Sequence, residues 1–162
     1  MNYYTIIERE GIFVGIVSEE KALKKILLGS SKKEVLSALG NKGKSSFSSK
    51  LINEIKKDLL AYLSGDKIDF SHYVLQLNFS AIGYKVLTEV RKIPYGELRT
   101  YKWIAHRVGI KGYRAIGKIL SINPFPIIIP CHRVICTDGS LGGFSAGLDI
   151  KRRLLNIEGI KV

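Results

Sequence analysis

Apolar and polar positions alternate at the start of the chain. Tyr3 to Glu8 and Ile12 to Val17 are β-branched and aromatic runs on either side of Arg9-Glu10-Gly11, the pattern of a β-hairpin. After Ser18 the spacing reads as helical, and a helix is expected there. Ser31-Lys32-Lys33-Glu34 forms a capping box, followed by Val35, Leu36 and Leu39 and a stop at Gly40. Asn41 to Ser49, rich in Ser, Lys and Gly, reads as a loop. Leu51, Ile52, Ile55, Leu59, Leu60 and Leu63 then trace one face of a long helix that ends at Gly65. Residues 66–78 read as a linker or a short strand.

The second half is differently patterned. Ser80 is placed to cap a helix with Val86, Leu87 and Val90 inward, ending before Pro94-Tyr95-Gly96. Thr100 caps a helix over Tyr101 to Val108, Gly109 to Gly112 makes a turn, and Tyr113 to Ser121 forms the next helix, stopped at Asn123-Pro124. Two short helices on a glycine-containing turn make a helix-turn-helix candidate, although plain core packing gives the same pattern. Phe125-Pro126-Ile127-Ile128-Ile129-Pro130 reads as a buried extended segment. Leu148 to Ile157 is a last amphipathic helix, closed by Gly159. The expected fold is α/β in two parts: a small sheet-plus-helix domain over residues 1–78, then a mainly helical domain over 79–162 carrying the helix-turn-helix.

Charge narrows the class of partner. Lysine and arginine number 26 against 14 acids, a formal charge of +12, so nucleic acid is the first partner to consider. No apolar stretch is long enough to span a bilayer, and Met1 to Thr5 does not open a signal-peptide pattern. The two cysteines, Cys131 and Cys136, make no disulfide framework. A cytoplasmic, reducing setting without membrane contact is the expectation.

Candidate chemistry gathers near the C-terminus. Pro130-Cys131-His132-Arg133 sets a cysteine at a turn beside a base and a cation, conditions that favour a thiolate nucleophile. A small buried cysteine is the plain alternative. Cys131, His132 and Cys136 are poorly spaced for metal, and no second Cys or His pair exists, so no metal is expected. Arg114 opens the second helix of the pair, Ala115 and Gly117 keep that face small, and Lys102, Arg107, Lys111 and Lys118 add charge for phosphates. Gly142-Gly143-Phe144-Ser145 lies in a glycine-rich loop that lacks the GxGxxG order of a dinucleotide site. Such a loop could fold over a flat ring; alone it reads as surface.

Taken in order, Ile93-Pro94-Tyr95-Gly96-Glu97, Thr100-Tyr101, Arg114-Ala115-Ile116-Gly117, Asn123-Pro124, Ile129-Pro130-Cys131-His132-Arg133-Val134, Gly142-Gly143-Phe144-Ser145 and Glu158-Gly159 resemble the O6-alkylguanine-DNA alkyltransferase family. The resemblance covers residues 79 to 162; the N-terminal half matches only in general plan. It implies direct-reversal DNA repair: one irreversible transfer of an alkyl group from O6-alkylguanine to Cys131 after base flipping, without cofactor. By this resemblance His132 takes the thiol proton through a water and Glu158 orients His132. Tyr101 donates to the guanine ring, and Ser145 donates to the guanine oxygen. The carbonyls of Cys131 and Val134 accept from the guanine amino group, and Phe144 with Gly142 and Gly143 folds over the base. Asn123 is the hinge, and Arg114 fills the gap left by the flipped base. Thr100, Tyr101, Lys102, Arg114, Ala115, Gly117 and Arg133 are the expected DNA contacts. The implied partner of the monomer is double-stranded DNA with O6-alkylguanine, and O4-alkylthymine to a lesser degree. Ala146 and Gly143 depart from residues common at those positions. Two rivals stand beside this reading. A DNA-binding module leaves the cysteine segment idle, and a thiol hydrolase needs His132 facing the sulfur.

Overall fold

A computed structural model describes residues 2–40 and 48–162. The predicted loop at Asn41 to Ser49 therefore lies almost wholly outside the described residues. The chain divides into two compact units, residues 1–76 and 77–162.

The first unit is a three-stranded antiparallel sheet with two helices. Strands β1 (Tyr3–Arg9) and β2 (Ile12–Ser18) pair from Tyr3 opposite Ser18 to Arg9 opposite Ile12. Glu10 and Gly11 turn the hairpin with φ of 52° and 72°, the positive-φ pair that a tight two-residue connection needs. Where the helical spacing after Ser18 predicts a helix, the chain instead forms a third strand, β3 (Leu23–Gly29), on β2. The reason is a bulge: Val17 pairs with Lys25 but Ser18 pairs with Leu23, so one extra residue enters β3. Leu23 and Ile26, three apart, are thereby both buried opposite Ser18 and Ile16, which mimics a helical repeat.

Helix α1 (Lys32–Leu39) starts where the capping box predicts, with Ser31 accepting from the Glu34 amide, and stops at Gly40 at φ 62°. Helix α2 (Lys50–Leu63) is capped by Ser49 and buries Ile52, Ile55, Leu59, Tyr62 and Leu63. The stretch after α2 touches the sheet through one parallel bridge, Leu75 to Leu23.

The second unit is mainly helical. Helix α3 (Ala81–Arg91) is capped by Ser80 and buries Val86, Leu87 and Val90. Helix α4 (Tyr101–Val108) is capped by Thr100 and ends at Gly109 in the left-handed region. Helix α5 (Tyr113–Ser121) follows a four-residue turn, completing the helix pair that the sequence predicts. The segment Phe125 to Pro130 is buried as expected, but coiled rather than extended. The Ile129 amide donates to the Phe125 carbonyl at 2.8 Å, and Ile127 takes φ 74°. That conformation is unfavourable for a β-branched residue, and near-complete burial of Ile127 holds it there. Helix α6 (Leu148–Ile157) ends the unit. Two strands too short to signal themselves in the sequence, β4 (Arg99–Thr100) and β5 (Val134–Ile135), pair in parallel. They tie the start of α4 to the chain just past Cys131. Among the described residues, no helix is long and apolar enough to cross a membrane.

Gly15 lets α1 lie against β2, because a Cβ there would stand 2.6 Å from Val35 Cγ1. Gly15→Ala should destabilise the first unit by about 1–3 kcal/mol through overpacking. Adding Val35→Ala should recover part of that loss, measured by hydrogen exchange of the β2 amides; a purely additive double variant would place the strain elsewhere.

Candidate active site

Cys131 sits at the first position of a single 3-10 turn, Cys131–Arg133, that leads into β5. Pro130 precedes it, and the Arg133 amide donates back to the Pro130 carbonyl at 2.9 Å. The side chain of Asn123 braces the approach. Its Nδ2 donates to the Ile129 carbonyl at 2.9 Å and to Cys131 Sγ at 3.2 Å, while its Oδ1 accepts from the Phe125 amide at 2.9 Å. Asn123 thus ties the end of α5 to the cysteine and donates to the sulfur itself.

Behind the cysteine lies a buried ionic cluster. His132 Nε2 is 2.7 Å from Glu158 Oε1. The Arg133 guanidinium grips both oxygens of the same carboxylate, with Nε and Nη2 at 2.9 to 3.1 Å, and its Nη1 donates to the Ile93 carbonyl at 2.6 Å. The Gly96 amide donates to Glu158 Oε2 at 3.0 Å, so the Pro94-Tyr95-Gly96 turn closes on the carboxylate too. This corrects the assignment of Arg133 to the DNA surface. It is 8% exposed, and its five donors face inward because a carboxylate and a carbonyl are there to receive them. Burial alone would raise the Glu158 carboxyl. Hydrogen bonds from His132 and Arg133 reverse that and hold it well below the ordinary carboxylate range.

A cavity of about 430 Å³ opens over the thiol. It is lined by Cys131 and Cys136, by Tyr101, by the loop Gly142 to Ser145, and by Tyr113, Arg114, Gly117, Leu120 and Ser121 of α5. A Cβ on Gly142 would stand 2.9 Å from the Tyr101 ring and 3.2 Å from Cys136 Sγ, and Gly142 has φ 70°. Glycine is required there for both reasons. Of the residues singled out from sequence, Cys131, Tyr101, Gly142, Gly143, Phe144, Ser145, Arg114 and Gly117 meet at this cavity. Ala115, Lys102 and Arg114 are exposed, and Thr100 Oγ1 is engaged as the α4 cap. His132, Glu158 and Asn123 are buried. Val134 is buried in β5 and does not line the cavity. Arg107, counted among the phosphate-facing cations, is ion-paired to Glu89 at 3.0 Å.

Sequence reasoning missed Lys151. It is fully buried on α6, and its Nζ donates to the carbonyls of Val134, at 2.7 Å, of Leu141, and of Gly143, at 3.3 Å. It also lies 5.9 Å from the Tyr101 ring centre. One lysine therefore joins the strand after Cys131 to the glycine-rich wall. Burial lowers its ammonium to about 8, against the pull of Cys131 and Cys136. Its helical position, one residue after the buried Ile150, was the available signal, but lysine is read as surface by default.

The reacting groups are held in their neutral forms. Burial pushes the Cys131 thiol up, with the Asn123 hydrogen bond and the Lys151 charge opposing. Burial also lowers His132, against the raising effect of Glu158. Tyr101 is pushed up to about 12 by burial, then by Cys136 and Cys131, so it keeps its proton as a donor. A neutral thiol beside a neutral imidazole, backed by a carboxylate, suits proton transfer at the moment of reaction rather than a standing thiolate.

Glu158→Gln should destabilise the second unit by about 3–5 kcal/mol at neutral pH, since it leaves the Arg133 charge buried without a counter-ion. Trp103 is the single tryptophan of the chain, so its fluorescence during urea unfolding reports on this unit. The sign with pH is fixed by the lowered carboxyl. Its stabilisation is complete above the unfolded value near 4.5 and is lost as pH falls through the lower folded value. Stability should therefore decline below about pH 4.5 in the unaltered protein and less steeply in Glu158→Gln.

Comparison with known proteins agrees with this arrangement. The profile of the 6-O-methylguanine DNA methyltransferase, DNA binding domain, matches residues 81–160. A methylated-DNA–protein-cysteine methyltransferase of Methanosarcina barkeri is 40% identical over 162 residues, covering 96% of each chain. One from Metallosphaera sedula is 46% identical over 103 residues, 64% of this chain and 65% of that protein's length. Among solved structures, Mycobacterium tuberculosis OGT in complex with DNA superposes with a TM-score of 0.80 at 27% identity, over 96% of this chain and 92% of that one. The chain belongs to the methylated-DNA–protein-cysteine methyltransferase family.

Proposed function

We propose that this chain repairs DNA by moving an alkyl group, once and irreversibly, from the O6 of guanine to Cys131. The observation that carries the reading is the thiol lining a cavity together with Tyr101, the Gly142 to Ser145 loop and α5. The pocket takes a flipped purine base. His132 accepts the thiol proton through a water, and Glu158 stabilises the resulting imidazolium. Sγ then displaces the guanine oxygen from the alkyl carbon, forming a thioether. Tyr101 donates to the ring as negative charge develops there, an interaction made strongest in the transition state. Ser145 donates to the departing oxygen. The carbonyl of Cys131 accepts from the amino group with the lone pair that the Val134 amide leaves open. A thioether does not hydrolyse readily, so one molecule acts once, with no cofactor.

The duplex lies against α5. Arg114 and Ala115 stand exposed at its first turn, and no neighbouring atom lies within 4 Å of a Cβ built at Gly117, which favours close approach of a groove. Arg114 enters the stack to offset the few kcal/mol of unstacking. O6-alkylguanine is the principal lesion and O4-alkylthymine a lesser one. The protein works as a monomer in the reducing cytoplasm.

Incubation with duplex DNA holding one O6-methylguanine should raise the intact mass by one methyl group per molecule, mapped to Cys131. Methyl on Cys136, or many turnovers per molecule, would contradict the reading. Multiple turnover on an ester would favour the hydrolase instead.

Arg114 and Tyr101 should fail differently in single-turnover kinetics. Arg114→Ala should slow transfer from duplex DNA far more than from the free base O6-benzylguanine, which needs no flipping. Tyr101→Phe should slow both, because its hydroxyl acts on the ring. Equal losses for Arg114→Ala on both substrates would make Arg114 a pocket residue rather than a finger.

A further inference from the structure

Tyr113 is an exposed aromatic that core packing does not explain. Its position, three before Ile116 and seven before Leu120, continues the spacing of the buried face of α5. Yet Tyr113 is 59% exposed, while Ile116 and Leu120 are buried at 0% and 6%. It lines the same cavity as Cys131, which is buried where Tyr113 is exposed. Leu120, buried, also lines the cavity and lies seven positions beyond Tyr113, about 10 Å along the axis. The space between is open, because α5 carries Gly117 on that side. A base seated over the thiol therefore occupies the inner part of the cavity, and Tyr113 meets what lies at the rim. Arg114 is its exposed neighbour there.

Resting on the proposed function, we infer that Tyr113 is a second DNA-contacting residue: its ring stacks on a nucleobase of the duplex beside the extruded nucleotide. Stacking on an aromatic face tolerates any sequence, since every base has a π-face, and this suits a protein that must act wherever a lesion falls. The aromatic face and the Arg114 guanidinium, adjacent on the first turn of α5, divide the contact. The cation enters the vacated position and the ring covers the neighbouring base.

The test is single-turnover transfer to Cys131, read by mass, for unaltered protein, Tyr113→Ala and Tyr113→Phe. The substrates are duplex DNA containing O6-methylguanine and the free base O6-benzylguanine. Tyr113→Ala is expected to slow the duplex reaction about tenfold more than the free-base reaction. Tyr113→Phe is expected to restore the duplex rate to within about twofold of the unaltered protein, because a ring suffices for stacking. A duplex loss in Tyr113→Phe equal to that in Tyr113→Ala would make the contact a hydroxyl on a phosphate and overturn stacking. Equal losses of Tyr113→Ala on both substrates would place the ring in the base pocket and overturn the duplex assignment. Unchanged duplex transfer in Tyr113→Ala would also overturn it. If the unaltered protein alkylates Cys131 with neither substrate, the repair reading itself falls, and this inference with it.

Discussion

The carboxylate of Glu158 is the point on which the site depends. It lies just past the end of α6, yet it receives the imidazole of His132, the guanidinium of Arg133 and the amide of Gly96. One buried anion thus fixes three stretches of chain that are distant in sequence: the turn before β4, the 3-10 turn of Cys131, and the C-terminal helix. An unpaired charge in that interior would be costly, and a bidentate arginine with a further hydrogen bond is the arrangement that makes it tolerable. The same cluster determines where Cys131 can be. His132 and Arg133 are the next two residues in a single 3-10 turn, so anchoring both leaves the thiol little freedom.

Rigidity and reactivity are reconciled by the electrostatics around the thiol. The burial that immobilises Cys131 also raises it and lowers His132, so both are held uncharged. A standing thiolate would react with any passing electrophile, whereas the neutral thiol is a poor nucleophile. Asn123 donates to the sulfur, and Lys151 lies close enough for its charge to favour the thiolate. Both oppose the effect of burial without reversing it. In the proposed reading, ionisation waits until a base fills the cavity, and Glu158 then balances a protonated His132.

The helices were legible in the sequence because their ends carry local chemistry. Ser31, Ser80 and Thr100 each cap the helix that follows, and Gly40 and Gly109 end theirs with positive φ; Ser49, read as loop, caps α2 as well. What was not legible depended on pairing between distant segments. The third strand was hidden because the bulge opposite Val17 and Ser18 gives Leu23 and Ile26 a helical spacing. The pairing of Arg99 with Val134 involves two residues a side, too few for any periodicity. The coil before Pro130 rests on Ile127 adopting a conformation that its side chain disfavours, which no local rule predicts. Within the site, the motif order identified eight of the residues that meet at the cavity, but not Tyr113, Leu120, Ser121 or Cys136. It assigned Arg133 to the wrong side of the protein and passed over Lys151.

Those last two residues change the meaning of the net charge. A formal +12 counts every lysine and arginine as available to a polyanion. Arg133 and Lys151 are buried, one neutralised by Glu158 and the other held on backbone carbonyls, so neither presents charge to a phosphate. Arg107 shares the Glu89 carboxylate with Lys92, so that one anion offsets only part of the pair's charge. The cations left near the helix pair are Lys102, Lys111, Arg114 and Lys118, all exposed. Three of these four lie on or just before α5, the helix that also lines the cavity. Exposed cations therefore stand on the element that meets DNA in the proposed reading, although Lys85, Arg152 and Lys161 are exposed elsewhere in the unit. A basic composition alone did not locate that surface. Removing the internally satisfied charges narrows it to the exposed cations, of which Arg114 lines the cavity itself.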